Sequence, residues 1–220
     1  MILRMNESYF EPEWPLPPNV RALVTTRLGG VSTGAYDSNN LALHVDDDPL
    51  LVLQNRESLK VLSGVRRWAW LNQTHSSTVV TSEESLVSAL EADASITSCS
   101  GVAAVVMTAD CVPILLCDSA GSQVAAVHAG WRGFLRGVLN HTIERFSAPV
   151  YDLTAYIGPA ISRTHFEVGI EVIEAFDDYS RKYFSKPLED EFFEENRSKR
   201  FQLDLMSVVR ELLLLSLIHI

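Results

Sequence analysis

Apolar and polar positions along the chain divide it into short, alternating elements. VRALVTTR (20–27) alternates with β-branched residues and predicts a strand. LGGVSTGAYDSNN (28–40) is dense in Gly, Ser and Asn and predicts a loop. DDDPLLVLQNRESLKVL (46–62) offers acidic caps, a proline in the first turn and apolar residues at helical spacing, so it predicts a helix. WAWLNQTH (68–75) predicts a strand ending on His75, and TVVTS another. DASITS (93–98), VAAVVMTAD (102–110), VPILLCD (112–118) and QVAAVHAG (123–130) form a dense β region. Their nearly continuous apolar runs predict strands covered on both faces.

Residues 131–147 predict one amphipathic helix. Trp131, Phe134, Leu135, Val138, Leu139, Thr142, Ile143 and Phe146 share a stripe. LTAYIGPA (153–160) predicts a strand and EVGIEVIEAF (167–176) a helix. An acidic, poorly patterned segment covers 177–200, and FQLDLMSVVRELL (201–213) begins as strand and continues as helix. No internal repeat or low-complexity linker interrupts the order. Strands cluster in the middle rather than alternating strictly with helices. That predicts an α+β fold of mixed β-sheets layered with helices, not a regular doubly wound sheet.

Size and charge narrow the picture. A chain of 220 residues, 47% hydrophobic, fits one large domain or two small lobes and can bury roughly 70% of its unfolded surface. The net charge of −10 repels phosphate backbones and argues against nucleic acid as a partner. The three cysteines, Cys99, Cys111 and Cys117, form no short-spaced disulfide framework. The first residues lack an uninterrupted apolar stretch, so no signal peptide is expected, and the reducing cytoplasm is the expected compartment. The apolar run LLLLSLIHI is too short to span a bilayer, so no membrane partner is expected. Residues 215–220, LSLIHI, are what CTGTCTCTTATACACATC encodes, the transposase mosaic end used in sequencing libraries. We therefore expect a non-native tail at 215–220, and resequencing with a different library chemistry checks it.

Candidate chemistry concentrates at predicted strand ends. His75 ends WLNQTH, Cys111 follows VVMTAD, and His128 ends QVAAV before a predicted helix. Residues at strand ends face the crevice where layered α/β proteins bind ligands. One thiolate and two imidazoles suit zinc or copper, and three protein ligands leave a fourth position open. The same residues permit a metal-free reading, with Cys111 as nucleophile, His128 as its base, and Asp110 orienting a histidine or binding substrate. They also permit ordinary packing roles, since a free cysteine behaves as a small hydrophobe. Cys117 and Cys99 lack polar neighbours of this kind and predict core and loop positions. Two sites suit an anion. Arg27 stands beside two glycines, and Arg132 stands at a predicted helix N-terminus, where a surface salt bridge is the competing role. Gln73 in the polar NQT is a further candidate for substrate contact. His44, His141, His165 and His219 carry no such context.

These stretches resemble the YfiH-type proteins, described as laccase-like polyphenol oxidases and as purine nucleoside phosphorylases. The matching segments are TTRLGGVSTGAYDSNNLALHVDDDP, NRESL, WLNQTHSSTVV, ADASIT, GVAAVVMTADCVPILL, VAAVHAGWRGFLRGVL and YIGPAISRTHFEVGIEV, in order over about 16–176. TADC together with HAGWRG is the specific combination. The resemblance implies a metal site of His75, Cys111 and His128 that takes zinc or copper, and a fold grouped with cysteine-hydrolase-like proteins. It implies a cytoplasmic enzyme acting on purine nucleosides: phosphorolysis of adenosine, inosine and methylthioadenosine, with phosphate as co-substrate, and deamination of adenosine. Editing of peptidoglycan precursors is also attached to some members. Two positions depart from the family pattern, Ser76 and Asp46, where glycine is usual. The family continues beyond this chain, so the resemblance implies a catalytic domain over 1–214 without its C-terminal segment.

Overall fold

The computed structural model describes residues 5–184, 187, 190–195, 200–216, 218 and 220. Its centre is a five-stranded sheet of β1 (Val79–Thr81), β2 (Ala94–Thr97), β3 (Val112–Asp118), β4 (Val124–Ala129) and β5 (Leu153–Ile157). The strand order is β5-β3-β4-β2-β1. β3 pairs antiparallel with β4 and β5, β4 pairs antiparallel with β2, and β1 runs parallel to β2. All four residues of β2 and five of the six in β4 are buried, as expected of strands with both faces covered.

β3 and β4 form a hairpin whose turn is closed by one carboxylate. Asp118 accepts bonds from Ser122 N, Ser122 Oγ and Gln123 N, and Gly121 supplies the positive φ of 65°. The resulting register sets Pro113 opposite His128 and Val112 opposite Ala129. Cys111, just before β3, and His128, near the end of β4, therefore lie at the same end of the sheet. The tight hairpin register brings them together across the sequence gap.

Five α-helices lie among the described residues: α1 (Pro49–Ser63), α2 (Trp131–Leu135), α3 (Val138–Ile143), α4 (Ile170–Phe184) and α5 (Leu205–Leu215). α1 matches its predicted span closely, because its boundary signals are local. Asp48 accepts from Leu50 N at 2.8 Å, Pro49 opens the helix, and Gly64 closes it with φ 74°. The single helix expected over 131–147 is two helices, because Gly137 at φ 87° breaks it. Its apolar stripe survives the break. Phe134, Val138, Leu139, Thr142 and Phe146 are buried, and Phe134 packs on Phe176 and Tyr179 of α4 at ring distances of 5.9 and 5.6 Å.

Other spans are shorter than alternation suggests. Within 20–27 only Val24–Thr25 is strand, paired with Tyr9–Phe10. The run 68–75 splits into Arg67–Ala69, parallel to Val102–Ala104, and Leu71–Asn72, parallel to Leu90–Glu91. The strand expected over 102–110 ends at Ala104. The segment 153–160 is strand only to Ile157, and 167–176 begins as a two-residue strand before α4. α4 extends into the stretch 177–200 that lacked a sequence pattern, of which 185, 186, 188, 189 and 196–199 lie outside the described residues. α5 runs to Leu215, and Ile218 packs into the main core, while 217 and 219 lie outside the described residues. The architecture is mixed α and β, with several sheets layered with helices. Among the described residues, no helix is long and apolar enough to cross a membrane.

Candidate metal centre

Among the described residues, one group of three metal-donor side chains assembles: His75, Cys111 and His128, with donor atoms all within 4.8 Å of one another. Three elements deliver them. His128 comes from β4 and is 4% exposed. Cys111 is half-buried and ends the irregular segment before β3. His75 is partly exposed and does not end a strand. It lies in a turn beyond Leu71–Asn72, at a backbone φ of 56°. That left-handed conformation is uncommon for a residue with a Cβ and needs support from its surroundings.

The support comes from Asp93, which is 0% exposed. Its carboxylate accepts from Thr74 N (3.2 Å), His75 N (3.0 Å), Ser76 N (2.6 Å) and Ser76 Oγ (2.7 Å). It also lies 2.7 Å from His128 Nδ1, while its backbone carbonyl accepts from His128 N at 2.7 Å. From the other side, Arg136 donates to His75 O at 3.0 Å. Burial alone would raise the Asp93 pKa, but the bonds from His128, Ser76 and Thr74 outweigh it and hold Asp93 down at about 2. Burial likewise disfavours protonated His128, but Asp93 and Cys111 outweigh it and raise His128 to about 9. His75 moves the other way: burial and then the neighbouring His128 lower it, Asp93 opposes, and Arg132 and Arg136 add to the lowering.

Convergence also needs a missing side chain. A Cβ on Gly130 would meet His75 Cδ2 at 2.6 Å and Cys111 Sγ at 2.9 Å. Only glycine leaves this corner open.

One thiol and two imidazoles suit zinc or copper, and one donor pair can be compared with a tetrahedral site. Bonds of zinc length at a tetrahedral angle set a nitrogen and a sulfur about 3.6 Å apart. Cys111 Sγ lies 3.7 Å from His75 Nε2. The rings of His75 and His128 meet edge to face, 4.8 Å between centroids. With Nδ1 of His128 committed to Asp93, its Nε2 is the nitrogen left for an ion.

The other expected site residues sit around this group and do different work. Asp110 is exposed beside Cys111, and its backbone carbonyl accepts from Ile161 N. Gln73 spends its carboxamide on Met107, donating to its O and accepting from its N, both at 2.7 Å. It thereby anchors the irregular segment that leads to Cys111. Arg27 donates twice to Asp37 O and clamps the glycine-rich loop. Arg132 lies 4.2 Å over the Trp131 ring and close enough to influence His75. The helix it begins has only five residues, so the helix-dipole argument for an anion there does not hold. Cys117 is buried, its thiol raised to about 11 chiefly by burial, and Cys99 is exposed, as their sequence context predicted.

Sequence reasoning missed four residues. Asp93 gave one signal: a carboxylate directly before the predicted strand residues ASIT. Gly130 gave another, a glycine directly after a strand. Arg136 sits within a run expected to be plain helix surface. Arg56 is buried, stacks 3.8 Å over Trp70, donates to Leu41 O and contacts Met107 Sδ, and burial lowers it to about 10.

The sequence model of the multi-copper polyphenol oxidoreductase laccase family matches residues 21–219. A protein of Pseudomonas aeruginosa named purine nucleoside phosphorylase is 50% identical over 169 residues, covering 77% of this chain and 69% of its own. The Escherichia coli protein named purine nucleoside phosphorylase YfiH is 44% identical over 166 residues, covering 75% and 68%. A Neisseria meningitidis crystal structure superposes with a TM-score of 0.88 at 44% identity, covering 96% of this chain and 84% of that one. With the family model spanning nearly all of its length and such relatives beside it, the chain belongs to the YfiH family of multi-copper polyphenol oxidoreductase laccases.

Proposed function

We propose that this chain is a zinc-dependent purine nucleoside phosphorylase acting on adenosine, inosine and methylthioadenosine in the cytoplasm, with adenosine deamination at the same centre. One observation carries the reading: His75, Cys111 and His128 converge in a chain 50% identical over 169 residues to a protein bearing that name. His75, Cys111 and His128 would hold the ion, which would supply Lewis acidity.

The chain's own residues do the rest. In phosphorolysis a phosphate oxygen bonds to the anomeric carbon as that carbon's bond to the base nitrogen breaks. The electron pair leaves with the base, which takes up a proton. That proton comes from the attacking dihydrogen phosphate, and Asp110, exposed at the rim, relays it to the base. Arg132, close enough to influence His75, is the residue left to hold the phosphate, and preorganised donors stabilise charge as it develops. Gln73 acts through the segment it anchors at Met107.

The test has two parts: metal content by elemental mass spectrometry, on protein purified without an affinity metal, and release of free base from inosine and adenosine with and without phosphate. We expect about one zinc per chain and phosphate-dependent release. Metal-free protein, or release indifferent to phosphate, sinks the reading.

A specific observation favours a second reading. His128 lies between Asp93, at 2.7 Å, and Cys111, the order of a nucleophile, base and orienting acid. A cysteine amidase acting on peptidoglycan precursors would use it, and its activity would survive chelation. A laccase-type copper oxidase has less support, since among the described residues only His75 and His128 of the histidines reach the cluster.

A further inference from the structure

One carboxylate holds both histidines of the centre. The partners of Asp93 are three backbone N–H groups, the Ser76 hydroxyl and His128 Nδ1, on a side chain removed from water. A carboxylate offers about four lone-pair sites. These five contacts fill them, which leaves Asp93 no capacity to bind an ion itself. Burial of an ionised group is tolerated only with such complete pairing.

The geometry of the bonds does more than satisfy a charge. The bond commits Nδ1 of His128 to Asp93 and leaves Nε2 as the nitrogen offered to an ion beside Cys111. The bond to His75 N holds a residue in left-handed backbone that its own Cβ disfavours. We propose that Asp93 is the positioning residue of the metal centre: it assembles the donors His75 and His128 before an ion arrives. Asp118 provides the contrast within the same sheet. It collects N–H and hydroxyl bonds in the same way, but closes a turn and touches no imidazole. The inference rests on the metal reading above.

The test compares the full chain with Asp93→Asn. Asparagine keeps the volume but presents an NH2 where donors already point. Zinc affinity is measured by competition with a chromophoric chelator, the His128 tautomer by nitrogen-15 NMR, and donor geometry by the absorption spectrum of the cobalt-loaded protein. The tautomer and the spectrum are readouts that a merely structural role would leave alone.

We expect zinc affinity to fall roughly 10- to 100-fold, with a changed His128 tautomer and a changed cobalt spectrum. Affinity within about twofold of the parent, against that expectation, with both spectra unchanged, overturns the inference and leaves the metal reading standing. A parent chain that binds no zinc overturns both. If Asp93→Asn does not fold, Ser76→Ala removes a single donor and leaves the backbone bonds. It should cost affinity roughly two- to tenfold, and an unchanged affinity there overturns the inference as well.

Discussion

Asn55 and Asp93 are buried polar hubs that hold irregular backbone for different ends. Asn55, on α1 and 2% exposed, accepts from Val31 N and donates to Ser32 Oγ, Ser38 O and Asn40 O. Asp93 gathers the turn 74–76 and His128. Each hub has a glycine pressed against what it organises. A Cβ on Gly30 would collide with Ser38 O and Asn39 Cα, and one on Gly130 would collide with His75 and Cys111. The chemistry of the two differs. An amide both donates and accepts, so it matches a loop whose backbone offers both kinds of group. A carboxylate only accepts, so it matches a set of donors, one of them an imidazole whose other nitrogen it then orients. The Asn55 hub shapes a loop. The Asp93 hub shapes a donor set.

Removing a donor breaks that comparison most sharply. Cys111→Ala should lower zinc affinity by more than about 100-fold, beyond what loss of an orienting group costs, and competition with a chelator measures it. Next, Asn55→Ala strands the Val31 N–H and three further partners. It should destabilise the fold by about 2 kcal/mol in denaturant unfolding, with zinc affinity unchanged. If zinc affinity falls as far as in Asp93→Asn, the division between the two hubs is wrong. The smallest effect belongs to Gly130→Ala. Its new methyl must push His75 or Cys111 aside, so affinity should fall about tenfold while unfolding in chelator shifts little. Equal affinity would mean that the corner can yield without cost.

Legibility varied with how local each signal was. α1 was readable because its cap, its proline and its closing glycine all lie within the helix or next to it. The hairpin strands β3 and β4 were readable from their apolar runs. The split at Gly137 was not, because the apolar stripe continues across it and only a left-handed glycine marks the break. His75 looked like a strand end because WLNQTH alternates, yet pairing stops at Asn72. Of the expected site residues, the structure groups His75, Cys111 and His128 and gives Gln73 and Arg27 backbone contacts of their own. Arg56 was unreadable as a buried group, since an arginine in a helix normally reads as surface.

By itself, the sequence determined the mixed architecture, most element positions and the three residues able to supply nitrogen and sulfur donors. Those properties follow from side-chain chemistry and from periodicities of a few residues, which any stretch carries with it. Tertiary structure alone decided that Asp93 reaches His128 across 35 positions and that Cys111 meets His75 across 36. It also decided that Gly130 must leave the space between them empty. Such contacts are set by hairpin register and by a turn held in left-handed backbone, and neither leaves a periodic trace in the chain. A carboxylate before a strand looks the same in sequence whether it meets water or an imidazole. Only the fold determines which it meets.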